Sequence, residues 1–272
     1  MVRASSRRTK PDARQAATEP NIPVRSIGGH RISRLIIGGN PFSSIAHSEP
    51  MVYSRDLFQH YFTRDKIVET LVLAERCGIN TFLGRIDEHV IGFLKQFEKT
   101  AGHTMPWIAQ TAKKPQQGAT RNDIRANIQL AADNGAMGIY VHGESVDYLV
   151  EQGKTDDVAD HVHFIRELGL IAGTGAHKIS TVEACQKAGL KPDFYMKTFN
   201  RLEYCCPDYG RTREMMAAVD VPWIAFKVLA AGRMQPQEGF AAAFNAGAAF
   251  LCVGMFDFQV EQNVVLVKSL LG

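Results

Sequence analysis

Long apolar runs are missing from this 272-residue chain. None approaches the ~20 residues that a membrane helix needs, so no membrane role is expected. Excess charge is nearly absent as well: 31 Lys and Arg against 28 Asp and Glu leave a formal charge of +3. Part of that surplus sits in Arg3, Arg7, Arg8, Lys10 and Arg14, so the remainder is close to neutral and gives no electrostatic footprint for nucleic acid. Cysteine is scarce and odd in number, five in all. Cys205 and Cys206 are adjacent, without the spacing of a CxxC redox or zinc pair. Reduced thiols and a cytoplasmic location are therefore expected. Glycine-rich phosphate loops are missing too, because Gly38-Gly39-Asn40 and Gly173-Thr174-Gly175 read as strand ends rather than loops entering helices. Residues 1–21 have few apolar side chains to offset chain ordering and are expected to form a disordered basic leader. Ser6-Arg7-Arg8 is not followed by the apolar region of an export signal.

What is present is a rhythm. The hydrophobic share of 45% is dealt out as eight short apolar segments, each running into a helix-like stretch or a turn. They are Leu35 to Asn40, Asn80 to Ile86, Trp107 to Ala112, Gly138 to His142, Ile171 to Ala176, Phe194 to Phe199, Trp223 to Leu229 and Phe250 to Gly254. Helical patterns cover Arg64 to Cys77, Glu88 to Thr100, Arg121 to Asn134, Val146 to Gln152, Val158 to Leu168 and Gln259 to Leu271. This predicts an α/β fold, a (βα)8 TIM barrel, filling residues 22–272 as a single domain. Val24 to Ile27 and His30 to Ile32, joined by Gly28-Gly29, predict a β-hairpin capping the bottom of the barrel. The connection from Pro41 to Phe62 reads as a long loop in which His47 could act as a lid.

In such barrels chemistry gathers where the strands end. Strand side chains alternate between the interior and the surrounding helices. Taking Ile139 and Val141 as outward-facing turns Tyr140, His142 and Glu144 inward. The same reasoning turns Gly173, Gly175 and His177 inward, Tyr195 and Lys197 inward, and Lys227 inward between outward Ile224, Phe226 and Val228. Two imidazoles and a carboxylate at neighbouring strand tips, His142, Glu144 and His177, are the ligand inventory of a divalent Mn, Zn, Fe or Co site, or of a metal-free acid and base cluster. An inward lysine is costly unless paired or used, which makes Lys197 and Lys227 catalytic candidates beside His142. Asn40, Arg85, Gln110 and Asn200 are candidate substrate-binding residues. Arg233 after Gly232 is a candidate anion contact, because barrels often hold phosphate near strands seven and eight.

Four stretches carry a family likeness. Val24 to Gly29 with Ile32 to Gly39, Cys77 to Phe82, Gly138 to His142, and Ile224 to Gly232 with Val260-Glu261-Gln262-Asn263 resemble the aldo/keto reductase superfamily. The resemblance implies an NADPH-dependent carbonyl reductase with an aspartate, tyrosine, lysine and histidine tetrad. Of these His142 matches. Thr81 to Gly84 holds no aspartate and Arg85 to Gly92 no tyrosine. Gln110 or Thr111 stands where the lysine would be, with Lys113 the nearest substitute. The basic residues that would hold the cofactor's extra phosphate are replaced by Met255, Phe256 and Asp257. NADPH is accordingly not expected.

A barrel that keeps its frame while exchanging its rim is expected to run another reaction. The expectation is a non-redox isomerase, epimerase or lyase acting by proton abstraction on a small sugar-like carbonyl compound, with a divalent metal as a possible helper. A reductase with a rearranged site, pairing His142 with Lys113 or Lys197, is the alternative. A ligand-binding barrel without catalysis is a third reading. A small-molecule partner and possible self-association complete the expectations.

Overall fold

The computed structural model describes residues 22–47 and 51–272; the expected leader, 1–21, lies outside the described residues. An antiparallel hairpin, β1 (Val24–Ile27) and β2 (His30–Ser33), comes first. The chain then alternates through β3 (Leu35–Gly38), α1 (Ser54–Tyr61), α2 (Arg64–Arg76), β4 (Phe82–Arg85), α3 (Glu88–Ala101), β5 (Trp107–Gln110), α4 (Arg121–Asp133) and β6 (Gly138–Val141). It continues with α5 (Gly143–Glu151), α6 (Thr155–Glu167), β7 (Ile171–Ala176), α7 (Ile179–Lys187), β8 (Phe194–Thr198) and α8 (Tyr209–Ala217). β9 (Trp223–Phe226), α9 (Pro236–Asn245), β10 (Phe250–Gly254) and α10 (Asp257–Leu271) finish it. Strands β3 to β10 pair in parallel and close into a ring, β10 bonding back to β3. The barrel and its hairpin are as the apolar rhythm predicts.

Two apolar layers hold the ring. Leu35, Ile37, Phe82, Trp107, Ile139, Tyr195, Trp223 and Leu251 face the helices and join their buried stripes. Ile36, Leu83, Ile108, Tyr140, Phe194, Met196, Ile224 and Phe250 fill the interior, with Ile27 and Ile32 of the hairpin in the same cluster. The hairpin thus closes the end opposite the strand tips. The side-chain direction expected for two strands is reversed: in β8 Phe194 and Met196 point inward and Tyr195 outward, and in β9 Ile224 points inward. Strands of a parallel barrel are buried on both faces, so their sequences lack the polar alternation that would mark one face.

The Pro41 to Phe62 connection holds more structure than a loop, because α1 packs Phe58 and the following Phe62 against Phe256. Helix α5 starts at Gly143 rather than Val146. Glu144 therefore belongs to the first turn of a helix, not to a strand tip.

Candidate active site

A cavity of about 390 Å³ opens at the C-terminal ends of the barrel strands. Leu83, Tyr140, Met196, Phe226 and Cys252 form its apolar floor, and polar groups from successive strand tips form its wall. Of the residues anticipated from sequence, Asn40, Arg85, Gln110, His142, Glu144, His177 and Lys227 line this one space, and His47 reaches it from the first long connection.

The most structured group on the wall is His177, which follows the last residue of β7. Its Nδ1 lies 2.9 Å from the carboxylate of Asp147 on α5, and its backbone N–H donates to the same carboxylate at 3.1 Å. The Thr181 hydroxyl donates to Asp147 at 2.7 Å. Burial alone would raise the pKa of Asp147, but the hydrogen bonds from His177 and Thr181 outweigh it and hold the carboxyl below its ordinary range. A carboxylate accepting at Nδ1 fixes the proton there and leaves Nε2 available to the cavity. This close docking of α5 on β7 requires small residues. A Cβ on Gly143 would stand 3.0 Å from the His177 ring, and one on Gly175 would stand 2.7 Å from the Gly143 nitrogen.

His142 follows the last residue of β6, its ring 6.3 Å from that of His177. Burial, then the nearby Lys114 cation, push its pKa down to about 3, so the imidazole is neutral at physiological pH. Its Nδ1 is buried without a hydrogen-bond partner among the described residues. Lys114 donates to Glu144 at 2.5 Å. Burial would raise the Glu144 pKa, yet the Lys114 hydrogen bond and the neighbouring histidine lower it overall. Burial and Lys227 lower His47 to about 4. On the floor, Gln110 Nε2 donates to the Tyr140 hydroxyl at 2.7 Å.

Three anticipated residues lie elsewhere. Lys197 is completely buried behind the wall, a consequence of the reversed direction of β8. Its ammonium donates to the carbonyls of His177 at 2.6 Å and Thr198 at 2.8 Å and lies 3.5 Å from Cys206 Sγ. It supports the backbone of His177 instead of facing a ligand. Asn200 exchanges two hydrogen bonds with the backbone of Tyr204, both at 2.9 Å, and so shapes the loop that carries this tyrosine to the cavity. Arg233 is exposed at the mouth with its guanidinium 4.7 Å over the Tyr204 ring. Lys227 does reach the cavity, but through a break in the strand. β9 ends at Phe226 and Lys227 takes a left-handed φ of 55°. Lys114 rather than Lys113 extends to the site.

The metal alternative for His142, Glu144 and His177 finds no support in their arrangement. Among the described residues no group of three or more His, Cys, Asp and Glu side chains is placed to hold a metal ion. Glu144 is held by Lys114, and His177 spends Nδ1 on Asp147. Sequence reasoning missed Asp147 and Lys114. Asp147 lies four positions after Gly143, and only knowledge that α5 starts there brings it beside the tip of β7.

No family profile matches the sequence, and no curated protein matches it. Solved structures do. A Pseudomonas aeruginosa protein designated an aldo-keto reductase superposes with a TM-score of 0.69 at 18% identity, covering 93% of this chain and 97% of that one. The glycerol dehydrogenase AKR11B4 from Gluconobacter oxydans gives 0.61 at 10% identity, covering 92% and 90%. The apo form of Gox0644 gives 0.61 at 10%, covering 92% and 93%. The chain therefore has the barrel fold of the aldo-keto reductases. These matches, an aldo-keto reductase and a glycerol dehydrogenase among them, correct the expectation of a non-redox isomerase, epimerase or lyase on a sugar and favour the reductase alternative. No helix of the described residues is long and apolar enough to cross a membrane.

Proposed function

We propose that this protein is a nicotinamide-dependent oxidoreductase that interconverts a small carbonyl compound and its alcohol, with a rearranged active site in an aldo-keto reductase-like barrel. The observation that carries the reading is the His177 and Asp147 pair on the wall of the cavity, in a fold shared with a designated aldo-keto reductase and a glycerol dehydrogenase. Carbonyl reduction needs a proton donor at the developing alkoxide, and alcohol oxidation needs a base for the hydroxyl proton. An imidazole with Nδ1 fixed by a buried carboxylate serves both directions through Nε2. His142, neutral and lining the same cavity, offers its imidazole as a second polar contact to the reacting oxygen. The pair takes the role that the resemblance assigns to a tyrosine.

The residues present suit some parts of such a cofactor and not others. Between β10 and α10, where the resemblance would place a basic clamp for a 2′-phosphate, Asp257 is instead tied to Lys66 and to the Tyr61 hydroxyl, each at 2.5 Å. Phe256 stacks among Phe58, Tyr61, Phe62 and Phe258. That segment does not suit a phosphorylated ribose. At the mouth of the cavity the Asn40 amide and the NH2 of Gln259, whose carbonyl oxygen accepts from the Phe256 N–H at 3.0 Å, suit a carboxamide, and they would hold the nicotinamide end of an unphosphorylated dinucleotide. When bound, that group supplies or accepts the reducing equivalents. The five free cysteines support a reducing, cytoplasmic setting for it.

The test is absorbance at 340 nm with NADH and NADPH against a panel of aldehydes, ketones and alcohols, alongside fluorescence titration of each dinucleotide. Turnover favouring NADH, lost by ~10²-fold or more in His177→Asn, is expected from the usual size of an acid–base contribution. Absence of turnover together with absence of binding by either dinucleotide rejects the reading.

A further inference from the structure

Among the described residues the charges around the cavity cancel in pairs apart from Arg233, exposed over Tyr204 at the mouth, and the half-buried Lys227. Lys114 is neutralised by Glu144 at 2.5 Å and Arg85 by Asp87 at 2.8 Å. Buried Lys197 lies within electrostatic reach of Asp147, behind the wall. Lys227 has no carboxylate within 4 Å among the described residues; its ammonium rests 5.6 Å above the Tyr204 ring and 5.7 Å from that of Phe226. The Phe226 ring in turn lies 5.7 Å from His177. A cation and the proton-carrying imidazole thus contact one aromatic ring on the floor of one cavity. The cation is held there by backbone geometry that side chains rarely adopt, a φ of 55° directly after β9. Further left-handed residues follow at Ala230, Ala231 and Gly232. Left-handed backbone in non-glycine residues is costly and gathers where a site needs it. Here it breaks the strand alternation that would otherwise point Lys227 away from the interior.

A half-buried ammonium with aromatic neighbours and no carboxylate beside it among the described residues is completed by an anion that enters with the ligand. We infer that the substrate is an anionic carbonyl compound, one carrying a carboxylate or phosphate close to the reacting carbonyl, and that Lys227 is the residue that selects it. This rests on the proposed oxidoreductase function. Binding of the anion places the carbonyl within reach of His177 while the charge is met at Lys227.

The experiment is calorimetric titration of the protein, free of dinucleotide, with malonate and with inorganic phosphate, using malonamide as the uncharged control. Malonate, phosphate or both bind, malonamide does not, and Lys227→Met weakens the anion at least tenfold, whereas Lys227→Arg retains most of the affinity; circular dichroism verifies that both variants fold. Which anion binds more tightly separates a carboxylate-bearing from a phosphate-bearing substrate. The titration is repeated with saturating NADH: retained anion binding assigns Lys227 to the substrate, and displacement assigns it to the dinucleotide's own phosphates and overturns the inference. Binding of neither anion, or affinity unchanged in Lys227→Met, also overturns it. If anions bind through Lys227 but the protein neither binds either dinucleotide nor shows dinucleotide-dependent turnover, the oxidoreductase reading falls and the anion site stands. If neutral and anionic aldehydes are reduced with equal kcat/KM, the anion selectivity falls and the oxidoreductase stands.

Discussion

Asp147 on α5 holds Nδ1 of His177, at the end of β7, at a distance of 2.9 Å. The same carboxylate also takes the backbone N–H of His177 and the hydroxyl of Thr181. One buried carboxylate therefore sets the tautomer, the ring orientation and the start of the next helix.

Replacing Asp147 with Asn keeps the shape and part of the hydrogen bonding but removes the charge that favours a proton on Nδ1. In a histidine and carboxylate pair such a change typically costs on the order of 10²–10⁴ in kcat. Nitrogen-15 NMR of the His177 ring is expected to show the tautomer redistributed. An unchanged tautomer together with unchanged turnover would remove this pair from the proton path.

Lys114 depresses His142 by its proximity, after burial. Lys114→Met is therefore expected to raise the His142 pKa from about 3 toward its ordinary value, without reaching it because burial remains. A proton NMR titration of the His142 ring checks this. A pKa that stays put or falls contradicts the electrostatic account.

Lys197 is fully buried and donates to two backbone carbonyls. Burial lowers its pKa, with nearby Cys206 partly offsetting. Lys197→Met leaves the carbonyls of His177 and Thr198 without that donor, for a loss of roughly 2–4 kcal/mol of unfolding free energy. Urea denaturation measures it; a loss under ~0.5 kcal/mol would show that water replaces the ammonium at no cost.

His161 on α6 is buried, its Nδ1 has no hydrogen-bond partner among the described residues, and burial followed by Arg125 lowers its pKa to about 4. Above pH ~6.5 it is neutral in both folded and unfolded chains and has no linkage effect. As pH falls below that value the unfolded chain takes up a proton that the folded protein refuses, so stability declines until pH ~4 and then levels off. The full loss is at most about 3 kcal/mol. His161→Phe should flatten this part of the stability profile relative to the parent protein. An unchanged slope between pH 6.5 and 4 would assign the acid sensitivity to other groups.

The sequence alone determined the barrel, because eight apolar segments separated by helical patterns and turns have few other ways to bury themselves. It also brought His142, His177, Lys227, Asn40, Arg85 and Gln110 to one rim, since strand ends in such a ring must converge. It could not decide which face of a doubly buried strand points inward. That is why Lys197, set outward with Tyr195, went to the supporting layer. Nor could it place Asp147 against His177, because a contact across thirty residues depends on α5 beginning at Gly143 and lying close on Gly175. Local patterns specify which elements form. The partners of an ionisable group, and hence its chemistry, follow from how those elements pack.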